Sequence, residues 1–289
     1  MFVISGATGH VGSVAAKELL AQKKPAKVVV RDAAKAEAWT KRGAQAAVGS
    51  LDDSAFLAEA LKGAQGFFAM IPPNFAAPDF YAAQTKTADS IATAVKAAAV
   101  PHVVMLSSVG ADLPAGTGPI RGLHYLENAL RQTGTTLTAI RACYFQENVG
   151  NVLAPARQAG IFPNMSGSAD YAFPMVATRD IGALAAASFL NKPAKSEVVD
   201  LQGPSYSNRQ AAQLLGKALG KELKIVEVPA AGRVSAMVQG GIPEHVAKVF
   251  AEMYEGFEKG LIKPKGDRMV HGKTELAEVV AALTGSSAA

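Results

Sequence analysis

The chain is short of cysteine, of charge and of any long apolar run, and each shortage excludes a class of protein. Cys143 is the only cysteine in 289 residues, so no disulfide framework can form. A lone thiol suits a reducing compartment, and a cytoplasmic protein is expected. No stretch of eighteen consecutive apolar residues is present to span a bilayer, which argues against a transmembrane helix. The opening MFVISGATG has no basic region and passes from a four-residue apolar run straight into glycine, so it reads as a strand rather than a signal peptide. Charged residues make up only 18% of the chain. The net charge of +5 is scattered, apart from mild clusters at Lys217, Lys221 and Lys224 and at Lys259 to Arg268. These read as solvated faces, because a nucleic-acid footprint would gather its charge on one element. Histidines, Cys143 and carboxylates show no metal-ligand spacing, and there is no Gly-x-Ser-x-Gly elbow; no metal centre is expected.

What is present is a core. Hydrophobic residues make up 49% of the chain, and up to residue 145 short apolar runs alternate with longer amphipathic stretches. Phe2–Ser5, Lys27–Val30, Ala46–Val48, Gly66–Ile71, His102–Leu106 and Thr136–Ile140 read as strands. Nearly all lack polar alternation, as parallel strands buried on both faces do. Helices are expected at about 11–22, 33–42, 53–62, 80–98 and 119–132. Strand and helix in this alternation predict an α/β fold, a Rossmann-like doubly wound parallel sheet. Residues 149–178, rich in Gly, Pro, Asn and Ser, read mainly as loop. A helix from Asp180 to Leu190 and a strand at Glu197–Leu201 are expected to rejoin the sheet. From Ser207 onward the pattern is helical, near 208–219, 230–239, 244–258 and 273–283, with one strand at Leu223–Val228. The expected division is therefore a dinucleotide-binding domain at 1–148, rejoined by about 179–203, and a smaller, mostly helical cap from 149–178 and 204–289. The terminal GSSAA is expected to fray.

The stretch VISGATGHVGSVAAKELL places Gly6, Gly9 and Gly12 between the first strand and the first helix. A tight turn there needs a residue tolerant of positive φ, a phosphate approaching the backbone leaves no room for Cβ, and close packing of helix on strand favours a third glycine. The free N–H groups of the helix start then face a pyrophosphate. Arg31 ends the second strand about twenty residues on. An Asp or Glu there would bind the ribose 2′-hydroxyl of NAD, whereas an Arg accommodates the 2′-phosphate of NADP. Arg31 comes first, Asp32 follows and Lys35 lies a helical turn further. Two cations against one acid favour NADP(H), and a surface pair between Arg31 and Asp32 is the competing reading.

These residues resemble the NmrA-like group of atypical short-chain dehydrogenase/reductases. The resemblance lies in GATGHVG at 6–12, VVVRDAAKA at 28–36, VGSLDD at 48–53, MLSSVGA at 105–111, LENALRQTG at 126–134 and TAIRACYFQEN at 138–148. The stretch GGIPEHVAKVFAEMYEGFEKG at 240–260 also looks like the cap of bacterial quinone oxidoreductases, azoreductases and triphenylmethane reductases of this group. The resemblance implies NADP(H) bound to the first domain, with the reacting molecule held against the cap. It implies that Thr8, His10 and Val11 line the pyrophosphate turn beside the three glycines, and that Arg31 and Lys35 meet the 2′-phosphate. Leu51 would present backbone near the adenine, and Ile71 and Pro72 would edge the cofactor where the fourth strand ends.

The sequence departs from most of the superfamily on the helix after the fifth strand. A Tyr-x-x-x-Lys pair, in which Lys lowers the Tyr pKa and Tyr passes a proton to the substrate oxygen, is expected there. Here Tyr125 is followed four residues on by Ala129, and no lysine lies between Pro119 and Gly134. Ile120, Leu123, Glu127 and Leu130 share one stripe of this helix. Glu127 is therefore expected to be a core anchor needing partners, with His124, Arg141 or backbone N–H groups as candidates. His124, whose ordinary pKa suits proton donation near neutrality, and Tyr125 lie progressively off the stripe and could face cleft or solvent. Ser107 and Ser108 end the fifth strand on the ligand-binding edge, able to bond a cofactor or substrate oxygen or merely to cap a turn. Tyr144, Phe145 and Asn148, after the sixth strand, are expected to wall the same cleft, the rings suiting a flat substrate or simple packing. Cys143 reads as a small buried hydrophobe.

Three functions fit. One is an NADPH-dependent reductase of quinones, azo compounds or other electron-poor conjugated molecules, which take hydride without the missing acid. The second is a regulator that senses NADP(H) without turnover and docks a protein partner. The third is a reductase of a phenolic ether or an alkaloid iminium, weakened by the absent lysine. A homodimer is a further possibility.

Overall fold

A computed structural model describes residues 1–286, so the end of the GSSAA tail lies outside the described residues. The first half alternates as its apolar pattern predicts: β1 (Phe2–Ile4), α1 (His10–Ala21), β2 (Ala26–Val30), α2 (Ala33–Thr40), β3 (Gln45–Val48), α3 (Ser54–Leu61), β4 (Gly66–Ala69), α4 (Phe80–Ala97), β5 (His102–Ser108), α5 (Ile120–Arg131) and β6 (Thr136–Ala142). Three of these helix starts are dictated locally. Asp32, Asp53 and Asp79 accept hydrogen bonds from Ala34, Phe56 and Ala82 and so cap α2, α3 and α4.

The second half follows as β7 (Tyr144–Phe145), a 3-10 stretch (Gln146–Val152), α6 (Leu153–Ala159), β8 (Ile161–Asn164), β9 (Ala172–Val176), α7 (Thr178–Leu190), β10 (Glu197–Gln202), β11 (Ser205–Ser207), α8 (Asn208–Leu219), β12 (Lys224–Glu227), α9 (Arg233–Gln239), α10 (Glu244–Glu258), β13 (Arg268–His271) and α11 (Leu276–Thr284). Eight parallel-paired strands form the main sheet in the order β13-β10-β6-β5-β4-β1-β2-β3. One apolar cluster, including Ala15, Leu19, Ile181 and Phe189, fills one face beneath α1 and α7. A second, including Leu57, Ile91, Leu126 and Leu130, fills the other beneath α3, α4 and α5. This is the doubly wound α/β architecture expected.

Three expectations need correction. Residues 149–178 are not mainly loop; they carry a 3-10 stretch, α6, β8 and β9. Their turn-rich composition hides strands that exist only through distant partners, β8 on β12 and β9 between β7 and β11. The chain after residue 204 holds three strands rather than one, because β11 and β13 accompany β12. β13 has no apolar run, since it is an exposed edge strand, yet it pairs with β10 and so returns part of the expected cap to the main sheet. The last helix begins at Leu276, not 273, behind a capping box at Glu275. Beyond the sheet, Val149, Ala156, Phe162, Met175, Leu215 and Val280 belong to a separate apolar cluster.

Candidate active site

Consecutive connections run outward from β1 toward β3 on one side and from β4 toward β13 on the other. The crevice at the carboxyl ends of β1 and β4 is thus the switch point at which open α/β sheets bind ligands. The three glycines occupy it for three different reasons. Gly6 has φ +63°, in the left-handed region. Gly12 is pressed so close that a Cβ would stand 2.5 Å from the Gly6 carbonyl oxygen. At Gly9 the backbone is extended and a Cβ would meet nothing nearer than 3.4 Å, an ordinary contact. The protein itself gives no reason for glycine at that position, whereas a phosphate laid on the turn does. Gly9 also begins α1 without any side-chain cap, unlike the Asp-capped α2, α3 and α4. The first amides of α1 therefore stay available to an anion. Thr8, Gly9 and His10 are exposed, and Val11 and Gly12 are buried beneath them.

Asp32 does not pair with Arg31. Its carboxylate is occupied by the Ala34 amide, at 2.7 Å. Arg31 and Lys35 are both exposed and have no ion-pair partner among the described residues. Half-buried Leu51 follows β3, while buried Ile71 and half-buried Pro72 lie just past β4, where Met70 backs Gly6. These groups border the same edge of the sheet.

Beyond β4 the edge carries a buried polar row. Ser107 on β5, Arg141 on β6 and Asp200 on β10 stand in register on adjacent strands. Glu127 of α5 closes over them, accepting from Ser107 Oγ at 2.6 Å and from Arg141 Nε and Nη2 at 2.9 and 2.8 Å. Burial alone would lower the Arg141 pKa, but the Glu127 hydrogen bonds and charge outweigh it and hold the guanidinium ionised. Burial pushes the Asp200 carboxyl above its usual range. Glu127 is thus the satisfied anchor expected, with Arg141 as its partner rather than His124. Sequence periodicity did not reveal Ser107 as the second partner.

Several protons in this region are already committed. A carboxylate only accepts, so the Ser107 hydroxyl proton points to Glu127. Ser108 donates to the Val109 carbonyl at 3.1 Å, which is the turn-capping role. His124 Nδ1 donates to the Ala111 carbonyl at 2.9 Å, and Nε2 accepts from Asn128 at 3.0 Å. Tyr125, 40% exposed, donates to Asp89 of α4 at 2.8 Å, on the outer flank of the two helices. The structure therefore brings Ser107 to the strand edge and carries Tyr125 away from it.

The far wall follows β6. Cys143 is half-buried, and desolvation pushes its thiol up to about 11, an unreactive state. Phe145 packs on the main core, whereas Tyr144 meets Phe173 edge-on at 5.5 Å between ring centres. Burial raises the Tyr144 pKa, and the neighbouring Asn148 side chain opposes the rise. Arg233, the largest fully buried side chain, lies 5.7 Å from the Tyr254 ring centre and pairs with Glu258. Sequence reasoning missed the buried Arg233–Glu258 pair between α9 and α10, because helical periodicity does not say which helix packs against which. Among the described residues no group of three or more His, Cys, Asp or Glu is gathered as a metal site. No helix of these residues is long and apolar enough to cross a membrane.

The model of the NmrA-like family matches residues 1–278. The NAD(P)H azoreductase of Xenophilus azovorans is 30% identical over 257 residues, covering 88% of this chain and 86% of that protein. Quinone oxidoreductase 2 of Escherichia coli is 28% identical over 297 residues, 98% of each chain. Among solved structures, the Citrobacter sp. triphenylmethane reductase complexed with NADP(H) superposes with a TM-score of 0.82 at 21% identity, over 98% of this chain and 100% of that one. The NADPH-dependent quinone oxidoreductase of Escherichia coli complexed with NADPH gives 0.78 at 23% identity, over 99% and 95%.

Proposed function

The chain belongs to the NmrA-like family, and from that premise we propose that it is an NADPH-dependent reductase of a quinone, an azo compound or another electron-poor conjugated molecule. The observation that carries this reading is the turn at Gly6, Gly9 and Gly12, with room kept for a phosphate at Gly9 and the first amides of α1 uncapped. Thr8, His10 and Val11 complete the pyrophosphate cradle. Arg31 and Lys35 receive the 2′-phosphate, since Asp32 is held by α2. Leu51 borders the adenine, and Ile71, Pro72 and Ser107 border the nicotinamide half.

NADPH bound in this crevice supplies the hydride. The chain's own residues align the acceptor against it and keep water out. An acceptor that spreads the added charge over a conjugated system needs little acid help. This agrees with a cleft in which the Ser107 and His124 protons are held by Glu127 and Ala111 and the Tyr125 hydroxyl is turned toward Asp89. The acceptor lies between the strand edge and a cap drawn from 149–178 and the chain after 204, with Tyr144, Phe145 and Asn148 on the shared wall.

Steady-state oxidation of NADPH with menadione and with an azo dye tests the reading. Turnover above background with at least one acceptor is expected. Tight NADPH binding without oxidation, across a panel of quinones, azo dyes and conjugated cations, would overturn it and leave the dinucleotide-sensing regulator.

A further inference from the structure

The amino ends of the strands, opposite the crevice, border a second space. Phe2 opens β1, His102 opens β5, and Pro25 and Gln65 stand just before β2 and β4; with the end of α7 they line a cavity of about 340 Å³. Its walls are of two kinds. The rings of Phe2 and Phe189, 5.1 Å apart between centres, make an apolar side. Gly66 leaves the space that Phe189 fills, since a Cβ there would stand 2.7 Å from its ring. The polar side is made by Lys24, Gln65, His102 and Lys192.

Every group on the polar side has a hydrogen to offer. His102 Nε2 lies 3.0 Å from Thr138 Oγ1, and both residues are buried. The Thr138 hydroxyl has no other acceptor among the described residues, so its proton goes to Nε2, and a neutral imidazole then carries its own proton on Nδ1. Nδ1 has no partner among the described residues and is not sealed from solvent as an orphaned buried atom would be, so it meets the cavity that His102 lines. Burial, aided by the Lys192 charge and opposed by Glu197, holds the ring neutral near pH 7. Gln65 Oε1 accepts from the Met1 amino group at 2.9 Å, which leaves the amide NH2 as its free end. Lys24 and Lys192 are exposed and have no ion-pair partner among the described residues. Glu197, whose charge reaches His102, is itself held by Arg268 Nε and Nη2, both at 2.9 Å. No carboxylate lines the cavity. The two lysines follow α1 and α7, where cations ordinarily complement helix ends. His102 and Gln65 stand at strand starts and have no such explanation.

We propose that this cavity is a second ligand site, for a small apolar carboxylate whose oxygens meet His102 Nδ1–H, the Gln65 amide and the two lysines while its body lies on the Phe2 and Phe189 rings. A carboxylate only accepts hydrogen bonds, and the polar side of this cavity only donates them. The volume lies at the small end of ligand pockets, which span about 300–1,000 Å³. One ring with a single charge suits such a space better than a phosphate ester, whose second charge costs more to strip of water beside apolar walls. The site is at the far end of the sheet from the Gly6 turn and stands independently of the reductase reading.

Nuclear magnetic resonance of the full chain labelled with nitrogen-15 in histidine tests this, with the His102 signals assigned by their loss in His102→Asn. The free protein should show the His102 proton on Nδ1, and titration with benzoate should shift that nitrogen saturably. In the Lys24→Glu, Lys192→Glu double variant, both positions being exposed, benzoate should bind about tenfold weaker or worse, the scale of a charge-assisted hydrogen bond. Benzyl alcohol, which keeps the ring without the charge, should change by less than about twofold. The benzoate Kd should be the same with and without NADP⁺. A proton found on Nε2, no saturable shift, or unchanged benzoate affinity in the double variant would overturn the proposal. So would competition between benzoate and NADP⁺, which places the anion in the crevice, or tighter binding of phenyl phosphate than of benzoate.

Discussion

At the scale of single residues, Gly9 and Gly12 sit three positions apart in one turn yet answer to different neighbours. A side chain at Gly12 collides with backbone at 2.5 Å, while one at Gly9 meets only ordinary contacts. Gly9→Val should therefore abolish NADPH binding while far-UV circular dichroism and thermal midpoint stay near native. Gly12→Val should lower the midpoint itself. If Gly9→Val binds NADPH normally, the turn is structural. Arg31 makes a second residue-level case, because Asp32 is taken up as a helix cap and leaves the exposed cation unpaired. A charge-assisted hydrogen bond is worth about 1.5–3 kcal/mol. NADPH should accordingly bind at least about tenfold tighter than NADH, and Arg31→Ala should remove most of that gap in a fluorescence titration. These residues were readable in sequence because the physics that selects them is local: a φ, a cap, a charge at a strand end.

At the scale of elements, α5 is tied to the sheet through one buried group. Glu127 accepts two hydrogen bonds from Arg141 of β6 and one from Ser107 of β5. Removing one partner of such a buried pair costs about 3–5 kcal/mol, because the remaining charge loses its answer. Asp112, with an oxygen 3.9 Å from Arg141 Nη1, stays near the guanidinium and should hold Glu127→Ala to the lower end of that range. Urea unfolding checks this, and a loss below about 1 kcal/mol would show that the anchor is not structural. The stripe on α5 made the burial of Glu127 legible, since a 3.6-residue period places it among Ile120, Leu123 and Leu130. Its partners were only partly legible, because register between β5, β6 and α5 is a matter of packing. The same limit hid β8, β9 and β13, whose backbone partners lie far along the chain.

At the scale of the whole molecule, the base of the sheet carries a titration that should couple stability to pH. His102 begins β5, is 1% exposed and bonds Thr138 Oγ1 through Nε2 at 3.0 Å. Burial, aided by the Lys192 charge and opposed by Glu197, pulls its pKa from 6.5 down to about 4. The unfolded chain takes up a proton below about pH 6.5, whereas the folded one resists until about pH 4. Stability should therefore fall as pH drops through that window, by about 3 kcal/mol in total, and His102 should contribute no slope above it. Urea midpoints measured from pH 7.5 to 4.5 should show the decline, and His102→Asn should flatten it. An unchanged slope in the variant would assign the decline to other groups.

The amino-acid sequence by itself determined the alternation of buried strand and amphipathic helix, the glycine turn with its cation at the end of β2, and the missing acid on α5. Each follows from residues within a few positions of one another, where φ/ψ preference, helical period and capping act directly. Only the tertiary structure decided that the Ser107, His124 and Tyr125 protons are held by Glu127, Ala111 and Asp89, that β13 extends the sheet beside β10, and that Arg233 is buried against Glu258. These depend on which distant surfaces pack together, and packing is governed by complementary shape and buried area over the whole chain rather than by any local pattern.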